Sequence, residues 1–131
     1  MITMSHLFVC LFTLCNFVLP TKEANQPNLI KGKLVYTSCA SVVVQIQDER
    51  FYNLANTSWK SVDSETKYEH VFLVKNSCDF REKRIERDEE FYFVLLPDVS
   101  SNDGCVQCLK YESTPRVILS IDVAKTINKS Y

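Results

Sequence analysis

Six apolar residues in succession, Phe91–Leu96, stand between an acidic run and a proline in "RDEEFYFVLLPD". The aromatic and branched residues favour a strand. Pro97 has no amide hydrogen and ends the pairing. An unbroken apolar run of this kind predicts burial on both faces and a central place in a sheet. The remaining apolar runs beyond residue 20 are shorter still, so short strands rather than long helices are what the chain can build. In Ser41–Asp48, Val42, Val44 and Ile46 alternate with Val43, Gln45 and Gln47, the period of a half-buried strand. Asn28–Tyr36 is an earlier strand, and the break Thr37–Ala40 between the two is short enough for a hairpin. Tyr68–Lys75 and Arg116–Ile121 read as further strands, and Cys105–Tyr111 as a short one.

Two polar stretches separate these strands. Glu49–Lys67 holds the chain's one tryptophan, Trp59, and predicts a surface loop or a short helix. Connections of this length often carry function. Asp79–Glu90 is nearly all charge, with Phe80 and Ile85 embedded, and reads as an exposed helical turn or a hairpin edge. The sum is an all-β domain of five or six strands over residues 28–124, either a small barrel or a sandwich. The polar tail 125–131 reads as a short C-terminal helix or an irregular end.

Residues 1–20 contain no Asp, Glu, Lys or Arg, and their apolar core Leu7–Leu19 is shorter than the roughly 20 residues that span a bilayer. They fit a secretory signal peptide, and no membrane insertion is expected after its removal. Cys39, Cys78, Cys105 and Cys108 then remain. In a small secreted chain these predict two disulfides, with the connectivity open among three pairings. Asn56-Thr57-Ser58 and Asn128-Lys129-Ser130 are N-glycosylation sequons that fit the same compartment. The formal net charge of −1 predicts no global attraction to nucleic acid.

Catalytic and metal chemistry find little support. Cys105-Val106-Gln107-Cys108 has the spacing of a redox pair or half a zinc site, although no second paired ligand motif accompanies it. His70 is the one histidine beyond the leader and reads as a polar strand residue. Asp88, Glu89 and Glu90 lie in a charged stretch with no apolar pocket to raise a carboxyl pKa. No cofactor and no metal site is expected.

The order of features resembles the netrin-like superfamily of OB-type barrels, which includes the inhibitory domain of tissue inhibitors of metalloproteinases and the N-terminal domain of agrin. Gly32-Lys33-Leu34-Val35 matches the opening strand. Cys78, Ile85, Asp88, Phe91, Tyr92, Phe93, Val94 and Pro97 match the later cysteine and aromatic strand. The resemblance covers residues 28–124 and implies a small disulfide-stabilised OB-like barrel of five or six strands in a secreted module that binds proteins or matrix. Inhibitory members chelate a protease zinc through an N-terminal Cys-x-Cys. This chain has none near residues 16–30, so that activity is not implied. The expected function is a non-enzymatic module contacting an extracellular protein or matrix component, with Trp59, Arg81, Lys83 and Arg84 as candidate contact residues. The alternative is a small secreted redox or metal-binding protein centred on Cys105 and Cys108. Protein collected from the medium of secreting cells is expected to lack its leader, to label with no thiol reagent and to gain four hydrogens on reduction, as intact mass would read.

Overall fold

The computed structural model describes residues 28–55, 57–97, 105 and 108–127. The expected leader and both sequon asparagines, Asn56 and Asn128, lie outside them. Eight strands are described: β1 Ile30–Thr37, β2 Val42–Ile46, β3 Trp59–Lys60, β4 Lys67–Tyr68, β5 Val71–Val74, β6 Glu90–Leu95, β7 Ile118–Leu119 and β8 Ile121–Thr126. A 3₁₀ turn, Glu49–Leu54, and a short helix α1, Ser77–Glu82, are the described helical segments. Six strands form one sheet in the order β7-β5-β2-β1-β6-β8, and β3 and β4 form a separate ribbon.

The two edge strands come from one stretch of chain. β7 runs parallel to β5, with Leu73 opposite Ile118, and β8 runs antiparallel to β6, with Leu95 opposite Ile121. The break between them is the single residue Ser120. A stretch that serves both edges curls the sheet into an OB-like half-barrel and leaves fewer backbone groups exposed at the rim. Asn76, 3% exposed, holds the bend. Its Nδ2 donates to the Ile121 carbonyl at 2.7 Å and its Oδ1 accepts from the Ile121 amide at 3.0 Å. The side chain thus supplies both bonds that a strand neighbour would supply.

The concave face is filled by Ile30, Leu34, Val42, Val44, Ile46, Phe72, Val74, Phe91, Phe93 and Ile121, joined by Phe80 from α1. The rings of Phe72 and Phe93 lie 5.6 Å apart, and those of Phe80 and Phe91 5.5 Å apart, separations typical of aromatic packing. A second cluster, Val35, Tyr36, Val43, Trp59 and Val71, lies apart from this core, where the β3–β4 ribbon joins β1, β2 and β5.

Several expectations change. β6 is buried at Phe91 and Phe93, but Tyr92 and Val94 are half-exposed and Leu95 is 39% exposed. β2 is the strand buried on both faces, because the ribbon's cluster meets Val43 while Val42 and Val44 face the core. Apolar run length does not report which strand a second layer covers. Tyr68–Lys75 is two strands hinged at His70, whose φ is 58°. Arg116–Ile121 is likewise split at Ser120. β8 carries the sheet past residue 124 to Thr126, because β6 needs a partner on its free edge, and residues 128–131 of the tail lie outside the described residues. Cys108–Tyr111 forms no strand. The Glu49–Lys67 connection is not featureless: it holds the 3₁₀ turn and most of the ribbon. Asp79–Glu90 starts inside α1, and just past the C-cap of that helix Arg84 stands in the left-handed region (φ 52°), a position where glycine is the usual occupant.

Gly32 is required by packing rather than by a turn. A Cβ there would lie 2.8 Å from Cε1 of Phe93 and 3.1 Å from Cγ1 of Val44. Phe93 is fully buried between Phe72 and Phe91 and has nowhere to move. Gly32→Ala is therefore expected to destabilise the domain by about 1–3 kcal/mol, against the gain that alanine gives at an uncrowded strand site; urea unfolding measures it.

Candidate functional site

The β1–β2 hairpin turn, α1 and the segment before β7 are tied together by two disulfides. Cys39 of the turn bonds Cys108, and Cys78 of α1 bonds Cys105. Cys105 and Cys108 are therefore not partners of each other. Each thiol of the C-x-x-C motif is instead consumed in a separate crosslink. Crosslinks across sequence separations of 69 and 27 residues restrict the unfolded chain, and each contributes roughly 2–4 kcal/mol.

Local backbone geometry sets the rest of the site. Ser38 closes the hairpin turn: its amide donates to the Ser41 carbonyl at 2.9 Å, and its Oγ accepts from the amides of Ala40 and Ser41 at 3.1 Å. Just before it, the β1–β2 register slips between Leu34 and Tyr36. A bulge of this kind re-aims the side chains beyond it. Leu34 stays in the concave core, while Val35 and Tyr36 both join the second cluster. The Tyr36 hydroxyl then donates to Glu112 Oε2 at 2.6 Å, and Ser38 Oγ reaches Glu112 Oε1 at 2.5 Å.

Glu112 is the anchor of the pre-β7 segment. Its side chain is 4% exposed, with Lys110 Nζ at 3.8 Å. Burial alone would raise its pKa, but the hydroxyls of Ser38, Tyr36 and Ser41 and the charge of Lys110 outweigh burial and hold it below 4.5. Burial and the Glu112 carboxylate in turn raise the Tyr36 pKa above 10.0. Trp59 fixes the next residue: its indole N–H donates to the Ser113 carbonyl at 3.3 Å, and its ring meets Tyr36 edge-on at 5.7 Å.

Between Cys108 and Glu112 the chain stands clear of the domain. Leu109 and Tyr111 are fully exposed, and Lys110 lies between them. Two apolar side chains so displayed on a segment braced at both ends contrast with isolated exposed apolar residues, which are ordinary. The alternation in Leu109-Lys110-Tyr111 gave no sign of this, since it also fits a strand; the crosslink at Cys108 and the buried Glu112 decide it.

The sequence-derived contact residues do not form one surface. Trp59 is 7% exposed and belongs to the second cluster, a correction to its expected role as a contact residue, because the ribbon folds it against Tyr36 and Tyr68. Arg81 lies at the same end as the disulfides, but its guanidinium donates to the Ser38 carbonyl at 2.5 Å and to Thr37 Oγ1 at 3.4 Å. Lys83 pairs with Asp122 across 3.8 Å, and Arg84 is exposed. Arg87, in the same charged run, donates to Asp63 Oδ2 at 2.5 Å and lies 6.0 Å from the Tyr36 ring. Hydrogen bonds from Arg87 and Ser61 hold the Asp63 carboxyl well below the usual range.

Among the described residues no three His, Cys, Asp or Glu side chains gather as a metal site, and no helix is long and apolar enough to cross a membrane. Comparison of the chain with protein-family models, with curated proteins and with solved structures finds no match.

The Glu112 anchor carries a pH signature. Its folded pKa lies below the unfolded value, so its contribution is complete above about pH 4.5 and is lost as the pH falls through the folded value. Glu112→Gln is expected to cost about 1–2 kcal/mol at neutral pH. The gap between wild type and variant should close on acidification below about pH 4, as paired denaturation curves across pH would record.

Proposed function

We propose that the chain is a secreted, non-enzymatic module of netrin-like OB type that binds an extracellular protein or matrix component through the braced segment Cys108–Glu112. The observation that carries this reading is the display of Leu109 and Tyr111. Both are fully exposed, while their flanks are held by the Cys39–Cys108 disulfide and by the hydroxyls of Tyr36 and Ser38 on Glu112. A contact segment ordered before it meets its partner loses less conformational entropy on binding, and tyrosine is enriched among residues that dominate interface energies. The two disulfides suit an oxidising compartment, which agrees with the apolar leader at residues 1–20. The topology, with a helix between β5 and β6 and a final strand that meets both sheet edges, supports the OB reading. The sequence has no Cys-x-Cys near residues 16–30, so protease inhibition is not part of the proposal.

The test uses the secreted protein, fluorescently labelled at its N-terminus, on intact cells and on deposited matrix. Saturable binding is expected, weakened by about thirtyfold or more in Leu109→Ala/Tyr111→Ala, the loss of a hot-spot pair. Thermal stability should be unchanged, because neither side chain packs on the domain. Equal binding by wild type and double variant would remove the segment from the proposal.

A further inference from the structure

We propose that the cleft between β2, the 3₁₀ turn and the hinge joining β4 to β5 is a binding site for a neutral saccharide unit. This site shares no residue with the Cys108–Glu112 segment.

His70 is irregular in two ways. Its φ of 58° places a non-glycine residue in the left-handed region. Its Nδ1 is buried without a hydrogen-bond partner. Histidine is among the residue types that enter this region more readily than most, but a buried ring nitrogen without a partner still calls for a reason. The turn itself is accounted for by the backbone. The chain leaves the ribbon at Tyr68 and enters β5 at Val71. The hinge is held by the Ile46 amide donating to the His70 carbonyl at 2.8 Å and by Gln45 Nε2 donating to the Glu69 carbonyl at 3.0 Å. Glycine would make the same turn without strain. The imidazole is therefore not what the hinge requires.

What the imidazole does instead is build one wall of a cleft. Its ring lies flat on Tyr52, with centroids 3.7 Å apart and planes within 2° of parallel. Gln45, Ile46, Gln47 and Glu69 complete a lining around about 390 Å³, within the roughly 300–1,000 Å³ of small-molecule sites. Gln45 and Gln47 are two apart on an extended run and share a side. Each carboxamide offers both a donor and an acceptor, and the Glu69 carboxylate offers acceptors. Glu69 Oε2 lies 3.9 Å from His70 Nε2.

This lining matches the chemistry of a pyranose. Sugar hydroxyls donate and accept together, as the carboxamides and carboxylate demand, and the sugar's C–H face suits the ring face that the Tyr52–His70 stack leaves uncovered. The lining contains no lysine or arginine and one carboxylate. Sulfated or phosphorylated sugars would meet that carboxylate with no counter-charge, and a cationic ligand would meet a single charge among uncharged amides.

The test is titration of the ¹⁵N-labelled, disulfide-intact protein with methyl α-mannoside, methyl β-galactoside and N-acetylglucosamine, each to millimolar excess. Arginine methyl ester and glucosamine 6-sulfate serve as charged probes. At least one neutral sugar is expected to shift the amides of Gln45–Gln47 and Glu69–Val71 saturably. Its affinity should fall about tenfold or more in both His70→Gly and Gln47→Ala. His70→Gly relieves the positive φ and should fold at least as stably; if it does not fold, Gln47→Ala carries the comparison. The proposal is overturned if no neutral sugar moves these amides, if only a charged probe does, or if the folded variants bind as wild type does.

Discussion

The sheet's curvature depends on a single stretch of chain, Ile118–Thr126, serving both of its edges. Strands at open edges carry unpaired amides and carbonyls. Here one bent strand meets β5 on one side of Ser120 and β6 on the other. The bend would leave the backbone of Ile121 short of partners, and the buried amide of Asn76 satisfies both its groups. With the curl set, Phe72, Phe91 and Phe93 converge on the concave side, and Gly32 leaves room for the last of them.

A second layer grows from small departures in regular pairing. The bulge between Leu34 and Tyr36 moves a tyrosine out of the core and brings its hydroxyl to Glu112. The hinge at His70 lets the chain pass from the covering ribbon into β5. Each departure places a polar or aromatic group where a regular strand would have put an apolar one. Both candidate sites sit on these departures: the braced segment is anchored through Tyr36, and the proposed cleft is lined by His70.

The charged residues are largely engaged with their own chain. Arg81 holds the Ser38 carbonyl, Arg87 holds Asp63, Lys31 lies 3.2 Å from Glu90 and Arg50 lies 2.7 Å from Asp48. Such exposed pairs contribute little to stability. Two of them, through Arg87 and Glu90, tie the charged run Arg81–Glu90 to neighbouring segments. At the disulfide-tied end two apolar side chains, Leu109 and Tyr111, also stand fully exposed.

Local pattern alone determined the short strands: the alternation in Val42–Ile46, the hairpin break before it and the aromatic run ended by Pro97 were legible because side-chain period and turn chemistry are properties of neighbours along the chain. It determined an all-β domain and four cysteines fit for two crosslinks. Tertiary structure decided what depends on distant partners. Cys39 pairs with Cys108 and Cys78 with Cys105 because the hairpin turn and α1 lie on either side of the same segment. Trp59 is buried because the ribbon folds back over Tyr36, and residues 121–126 form a strand because β6 has an open edge. Burial, pairing and the choice of which side chain is left exposed are settled only when segments far apart in sequence compete for the same surface, and no local pattern records that competition.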